Sequence, residues 1–92
     1  MFHVKQMKGV HTMENAYNGW KNYETWNVAL YLSNEREFYE MVKRYIKRSR
    51  RKSYTGFLEK YGYRLGAKTP DGVSWYSSKV CRSEITEMFK EW

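Results

Sequence analysis

Residues Asn18–Leu32 read NGWKNYETWNVALYL, and they put a turn, a helix start and several large rings into one short stretch. Asn18-Gly19 is a strong turn pair, because glycine takes positive φ without steric cost and asparagine tolerates it better than most residues. Asn22 stands where a helix N-cap belongs, with its side chain placed to accept a bond from the free N–H of Glu24 or Thr25. From there a helix is predicted over about Tyr23 to Leu32, with Tyr23, Trp26, Asn27 and Leu30 on one face and Val28 and Ala29 at its edges. Trp20, just ahead of the cap, is placed to fold back on the first turn as a staple.

Working outward, Ser33-Asn34 interrupts this helix, and Asn34 with Glu37 has the N-x-x-E spacing of a capping box. A second helix is predicted from Glu35 to about Arg50. Phe38, Met41, Val42, Tyr45 and Ile46 recur at the spacing of a core-facing stripe, the strongest period in the chain. Glu40 and Arg44 are spaced to pair at i, i+4. Ser53 can cap a third helix, Tyr54 to Tyr61, which buries Phe57, Leu58 and Tyr61 and stops at Gly62. Gly62 to Trp75 reads as connection, with Thr69-Pro70-Asp71-Gly72 as turn chemistry. Tyr63-Arg64-Leu65 and Val73-Ser74-Trp75 can pair across it as a minimal hairpin, although an isolated two-stranded ribbon is weak. A last helix is expected from about Lys79 to Glu91, capped by Ser77 or Ser78, with Cys81, Ile85, Met88, Phe89 and Trp92 as its apolar stripe.

Met1 to Ala16 carries no sustained period of 2 or 3.6 and reads as an N-terminal arm, with a short strand as the competing reading. Met13 is a candidate second start, which would make Met1–Thr12 dispensable. The fold class expected is therefore mainly α: an arm over residues 1–16, then one small irregular four-helix domain over 17–92, with a long turn-rich loop before the last helix.

With 92 residues the chain makes one small domain, and such a domain has little burial to spare. Aromatics make up 18% of it, which lets a short chain fill a core with large rings. A single cysteine excludes an internal disulfide, and no apolar run approaches a membrane span or a signal peptide. A soluble protein of the cytoplasm is the expectation, with no membrane contact.

Asn18–Trp26 with the following N-V-A-L-Y-L resembles small proteins of unknown function encoded by bacteriophages and bacteria, in which an N-Y-E-T-W core precedes a helix. Asp71-Gly72-Val73 and Glu84-Ile85-Thr86-Glu87-Met88 resemble the way those domains end. The likeness spans Asn18 to Trp92 and implies a phage or mobile-element origin, in which case the cytoplasm is the host's. It implies no activity.

Catalysis finds little support in the sequence. His3 and His11 both lie in the arm, and Cys81 falls on an apolar stripe where a buried thiol behaves as a small hydrophobe. Asp71 sits beside a turn glycine, and Glu24 suits the first turn of a helix; both placements are explained structurally. No nucleotide-binding loop, zinc motif or metal-ligand spacing is present. The chain reads as non-enzymatic, with no metal and no cofactor.

Charge is the best functional signal. The formal net charge is +7, and Lys43, Arg44, Lys47, Arg48, Arg50, Arg51 and Lys52 supply seven positive charges with no acid among them. A solvated helix end explains one or two such charges through the helix dipole, but not seven. The leading expectation is a partner made of nucleic acid or nucleoprotein, RNA or DNA, whose phosphates meet this run. The alternative is an anti-defence or host-takeover inhibitor that docks on an acidic surface of a host protein. Trp20, Tyr39 and Tyr54 are the rings singled out as further contacts, by base stacking or as interface anchors, against the blander reading of core filler.

Overall fold

The computed structural model describes residues 17–92, so the expected arm lies outside the described residues. Asn18 (φ 52°) and Gly19 (φ 90°) both take positive φ, the backbone of a tight turn of the hairpin type. Tyr17 and Trp20 exchange backbone hydrogen bonds across it. Trp20 then enters the core and is buried.

Four helices follow: α1 (Tyr23–Asn34), α2 (Arg36–Arg48), α3 (Tyr54–Tyr61) and α4 (Arg82–Lys90), with a 3-10 turn over Gly62–Arg64. Helix α1 packs mainly on α2 and α3 on α4, while α1 also meets α4 and α2 meets α3. The domain measures 34 × 26 × 26 Å. A mainly α fold is what the period of the sequence implies, and no strand longer than an isolated bridge occurs among the described residues.

The N-cap of α1 is Asn22, whose Oδ1 accepts from the Thr25 N–H at 2.9 Å and from the Thr25 hydroxyl at 2.6 Å. The same cap fastens α1 to the chain before α4. Asn22 Nδ2 donates to the Lys79 carbonyl at 2.8 Å, the Cys81 N–H donates to Thr25 Oγ1 at 2.8 Å, and the Lys21 N–H donates to Glu84 Oε1 at 2.8 Å. The N-Y-E-T segment is thus a joint between the two ends of the described chain.

The buried side of α1 differs from the expected one. Of the expected face only Asn27 is buried, together with Thr25, Val28, Ala29, Leu32 and Ser33, whereas Tyr23 is exposed and Trp26 and Leu30 are half-exposed. The helix has turned its smaller side chains inward because α2 and α4 both press on it, and close approach favours Ala, Ser and Thr over rings.

Asn34 does not cap α2. It still belongs to the last turn of α1, and Glu35 alone joins the helices in an extended conformation, φ −86°, ψ 117°. The Glu35 N–H closes α1 on the Tyr31 carbonyl, and the Glu35 carbonyl accepts from the Tyr39 N–H to open α2. No side chain caps α2, so the expected N-x-x-E box is not formed. Met41, Val42 and Tyr45 are buried, with Phe38 and Ile46 packed at the edge of the core, as the stripe implies. Helix α2 ends at Arg48, and Ser49 leaves it in extended backbone, two residues earlier than expected.

Helix α3 has its expected limits, and Ser53 accepts from the Gly56 N–H at 3.0 Å. Gly62 does not stop it in a left-handed conformation; its φ is −58° and the chain continues into the 3-10 turn. Residues 63–65 therefore cannot pair with 73–75, and the loop closes by a single bridge between Lys68 and Ser74 instead. The Gly72 N–H bonds the Thr69 carbonyl at 2.8 Å across the Pro70-Asp71 turn.

Helix α4 starts at Arg82 rather than Lys79. Ser77 closes a preceding turn by accepting from the Lys79 N–H at 3.0 Å, and Val80 is buried in that turn. Cys81 is consequently the N-cap residue and half-buried, not a member of the apolar stripe. Ile85, Met88 and Phe89 do fill the core. The largest side chains of that core are aromatic, and several rings pack edge to face: Tyr45–Phe57 at 5.7 Å and 62°, Phe57–Phe89 at 5.7 Å and 84°, Phe38–Trp75 at 5.4 Å and 83°.

Gly56 marks the closest approach of α3 to α2. A Cβ there would lie 2.2 Å from Tyr45 Oη, on a ring held by Phe57, Phe89 and Tyr61. Gly56→Ala should destabilise by about 2 kcal/mol despite the better helix propensity of alanine, because the tyrosine cannot move aside. Tyr45 Oη is buried with no hydrogen-bond partner among the described residues, so Tyr45→Phe alone should be close to neutral. In the Tyr45→Phe background Gly56→Ala should cost less than half as much; equal costs by chemical denaturation would disprove the clash. Gly62→Ala faces a similar approach, 1.9 Å to Tyr76 Oη, but Tyr76 is exposed and free to turn away, so the expected cost there is smaller.

Candidate functional site

Helix α2 separates its charges along its length and around its circumference. Glu37 lies in its first turn and Lys47 and Arg48 in its last, as the helix dipole favours. Lys43, Arg44, Lys47 and Arg48 are exposed on the side opposite the buried Met41, Val42 and Tyr45. The expectation that α2 runs to about Arg50 is corrected by its end at Arg48, which takes the last three cations off the helix. Arg50, Arg51 and Lys52 instead lie exposed on the extended link to α3.

None of the seven cations joins an ion pair among the described residues. The pairs formed there are Arg36–Glu40 at 3.3 Å and Lys90–Glu87 at 3.5 Å, both exposed. Glu40 thus pairs toward the start of α2, not with Arg44 as its spacing suggested. Lys43 alone of the seven has a contact that ties it to the fold: its Nζ donates to the Trp92 carbonyl at 3.3 Å and lies 5.8 Å from the centre of the Tyr39 ring.

That contact brings the end of the described chain against the basic face. An open groove of about 570 Å³ runs there, with Lys43, Arg44, Lys47 and Arg48 around it and the half-buried Ile46 and Trp92 supplying its apolar surface. Glu40 reaches the groove as well, where Arg36 partly offsets its charge. The Trp92 ring packs on Tyr39 (centres 5.1 Å apart) and Phe89 (5.9 Å). Sequence reasoning placed Trp92 only on the apolar stripe of α4, since nothing local relates it to Lys43, 49 residues away.

The rings expected to make contacts divide. Trp20 (2% exposed) and Tyr54 (0%) are buried, so neither has a face to offer a partner. Tyr39 is half-buried beside Lys43 and Trp92. Among the described residues the exposed rings are Tyr17, Tyr23, Tyr63 and Tyr76; of these, Tyr17 and Tyr23 cluster with Trp26 at 5.1–5.8 Å, away from the basic run in sequence.

Tyr54 is structural. Its Oη donates to the Trp75 carbonyl at 2.7 Å, and Arg82 lies 5.8 Å from its ring. Burial raises its phenol pKa well above the ordinary 10.0, with Arg82 opposing. The folded state then holds this proton more tightly than the unfolded chain, so its contribution is intact below pH 10 and falls as pH rises above it. Tyr54→Phe should cost about 1 kcal/mol at neutral pH and flatten the loss of stability between roughly pH 10 and 11.5. A variant whose alkaline melting curve has the same slope as the parent would contradict this.

A second polar cluster joins α1 to the long loop. Asn27, fully buried, donates from Nδ2 to Asp71 Oδ2 at 2.8 Å, while its Oδ1 accepts from the Thr69 hydroxyl at 2.7 Å. Thr69 Oγ1 in turn accepts from the Val73 N–H at 3.1 Å. The phenols of Tyr23 and Tyr31 are raised above their ordinary pKa by burial and then by the Asp71 carboxylate. This cluster secures a loop: its polar groups bond one another rather than aim into a pocket.

Among the described residues no group of histidine, cysteine, aspartate and glutamate side chains is arranged to hold a metal, and no helix is long and apolar enough to cross a membrane. Cys81 Sγ lies 3.4 Å from Ser83 Oγ at the start of α4.

No curated protein and no solved structure matches the chain. A family model described as a family of unknown function (DUF7249) matches residues 13–92, which takes in all four described helices, the Asn22–Thr25 joint and the whole basic run. The chain therefore belongs to the family of unknown function DUF7249.

Proposed function

We propose that this protein binds nucleic acid, bare or within a nucleoprotein, through the outer face of α2 and the 49–53 link. The observation that carries the reading is the set of seven exposed cations, Lys43, Arg44, Lys47, Arg48, Arg50, Arg51 and Lys52, none of them neutralised by an acid of the described fold. Leaving like charges crowded without internal partners costs stability, and a polyanion offsets that repulsion while releasing its counterions. Four of the cations project from a helix whose other side is anchored in the core, so the surface is presented with little ordering cost. The role that fits a domain of this size is that of a non-enzymatic accessory protein, and the Asn18–Trp26 resemblance supports a phage or mobile-element origin, with the host cytoplasm as its place of action.

Fluorescence anisotropy with labelled oligonucleotides tests the reading. With four to seven phosphates contacted, log K should fall linearly with log salt at a slope of roughly −3 to −6. Affinity indifferent to salt, or none at low salt, would sink it. Pull-down from host lysate with and without nuclease separates the alternative: a specific acidic protein retained after nuclease treatment would make the same basic face a protein-docking surface.

A further inference from the structure

We infer that the nucleic acid this protein prefers is single-stranded, with an unpaired base stacked on Trp92 while the flanking phosphates meet Lys43, Arg44, Lys47 and Arg48. The inference rests on the nucleic-acid reading above and adds a ligand class and a contact residue to it.

The groove beside α2 is not merely basic. It combines the four helix cations with an indole and an isoleucine, both half-buried, in about 570 Å³ of open space. Volumes of this size are typical of sites that take small organic groups, and such sites use apolar walls with a few charged groups to orient the ligand. A duplex has no use for the indole, because both faces of each base are covered by its neighbours. An unpaired base does, since every base offers a ring face to an aromatic side chain.

Two observations hold Trp92 in readiness for that role, and a third concerns the cations beside it. Its ring is supported by Tyr39 and Phe89, with centres 5.1 and 5.9 Å away, so it does not need to be ordered on binding. Its carbonyl is tied to Lys43 Nζ at 3.3 Å, which fixes the indole next to a cation on α2. The cations come in i, i+4 pairs, Lys43 with Lys47 and Arg44 with Arg48, each pair about 6 Å apart along the axis, so consecutive phosphates of one strand can be met while a base turns inward. Glu40 is the one acid lining the groove among the described residues, and its pairing with Arg36 reduces its repulsion of a phosphate.

The test uses the full chain with a 12-nucleotide oligo(dT), the matching oligo(U), and a duplex of equal length at one salt concentration. The single strands should bind at least about 10-fold more tightly than the duplex, and binding should quench tryptophan emission. Trp20 and Trp75 are buried and the half-exposed Trp26 does not line the groove, so Trp92→Phe should remove most of the quench while keeping most of the affinity. Trp92→Ala should weaken single-strand binding by roughly 5- to 100-fold, the range for one lost stack, with duplex affinity and the salt slope unchanged. Because Trp92 also packs on the core, each variant's melting midpoint is measured first, and Trp92→Phe carries the test if Trp92→Ala is unfolded. Equal affinity for single strand and duplex, or a quench that survives in Trp92→Phe, overturns this inference and leaves the nucleic-acid reading standing. Binding to none of the three overturns both.

Discussion

Replacing Arg48, Arg50 and Arg51 together by alanine should lower affinity for oligonucleotides by roughly two orders of magnitude at 0.1 M salt. The estimate follows from counterion release. Each phosphate contact on a single strand contributes about 0.7 to the slope of log K against log salt, hence about 5-fold in affinity between 1 M and 0.1 M, and three contacts compound. The slope itself should flatten by about 2. Stability should hardly move, because all three side chains are exposed and outside any ion pair among the described residues. A small gain in melting temperature is expected, as like-charge repulsion is relieved. The control is the same number of charges removed elsewhere: Lys60, Arg64 and Lys79 are exposed cations outside the 43–52 run, and their loss should leave most of the affinity in place. Should the two triple variants behave alike, binding reflects net charge and not a site.

The largest expected effect on stability is that of Asn27→Ala, about 3 kcal/mol. Three things are lost at once in a buried place. The Asp71 carboxylate loses its amide donor, the Thr69 hydroxyl loses its acceptor, and a small cavity opens against α1. Thr69 is itself buried, so its stranded donor carries the desolvation cost of an unmade bond. The bond to Asp71 contributes less, because the carboxylate end is exposed. For a domain of this size the loss corresponds to a fall in melting temperature of roughly 12–24 °C. Asn27→Asp is the informative partner. It retains an acceptor for Thr69 but sets a second carboxylate against Asp71, so its folded-state pKa should rise and its penalty should deepen as pH climbs through that value. If Asn27→Ala melts within 3 °C of the parent, the 68–74 loop is not anchored through this residue.

How much of this could be read from the chain depended on distance in sequence. Helices α2 and α3 were legible because their signals are local: the stripe from Phe38 to Ile46, and the Ser53 cap followed by Phe57 and Leu58. The Asn18-Gly19 turn and the Asn22 cap were legible for the same reason. The orientation of α1 was not. Its rings at Tyr23 and Trp26 suggested the buried face, yet Thr25, Val28, Ala29 and Leu32 turn inward because two other helices close on them. Asn27 was legible as a member of that face, but not its role, since its partners Thr69 and Asp71 are 42 and 44 residues away. The start of α4 was placed too early, because the serines that resemble caps serve a turn ahead of it. At the candidate site the sequence supplied the cations, but the groove needs Trp92 brought beside Lys43, and no local pattern carries that.

The fastening of Asn22 and Thr25 to Lys79 and Cys81 bears on how the molecule is made. A ribosome releases the α1 segment long before it has synthesised the carbonyl and the N–H that complete its cap. The nascent domain therefore cannot reach its final arrangement until the segment from Lys79 onward has left the exit tunnel. Chains halted before residue 79 should be sensitive to protease at α1, whereas those halted after the tunnel has cleared Trp92 should resist it as one unit.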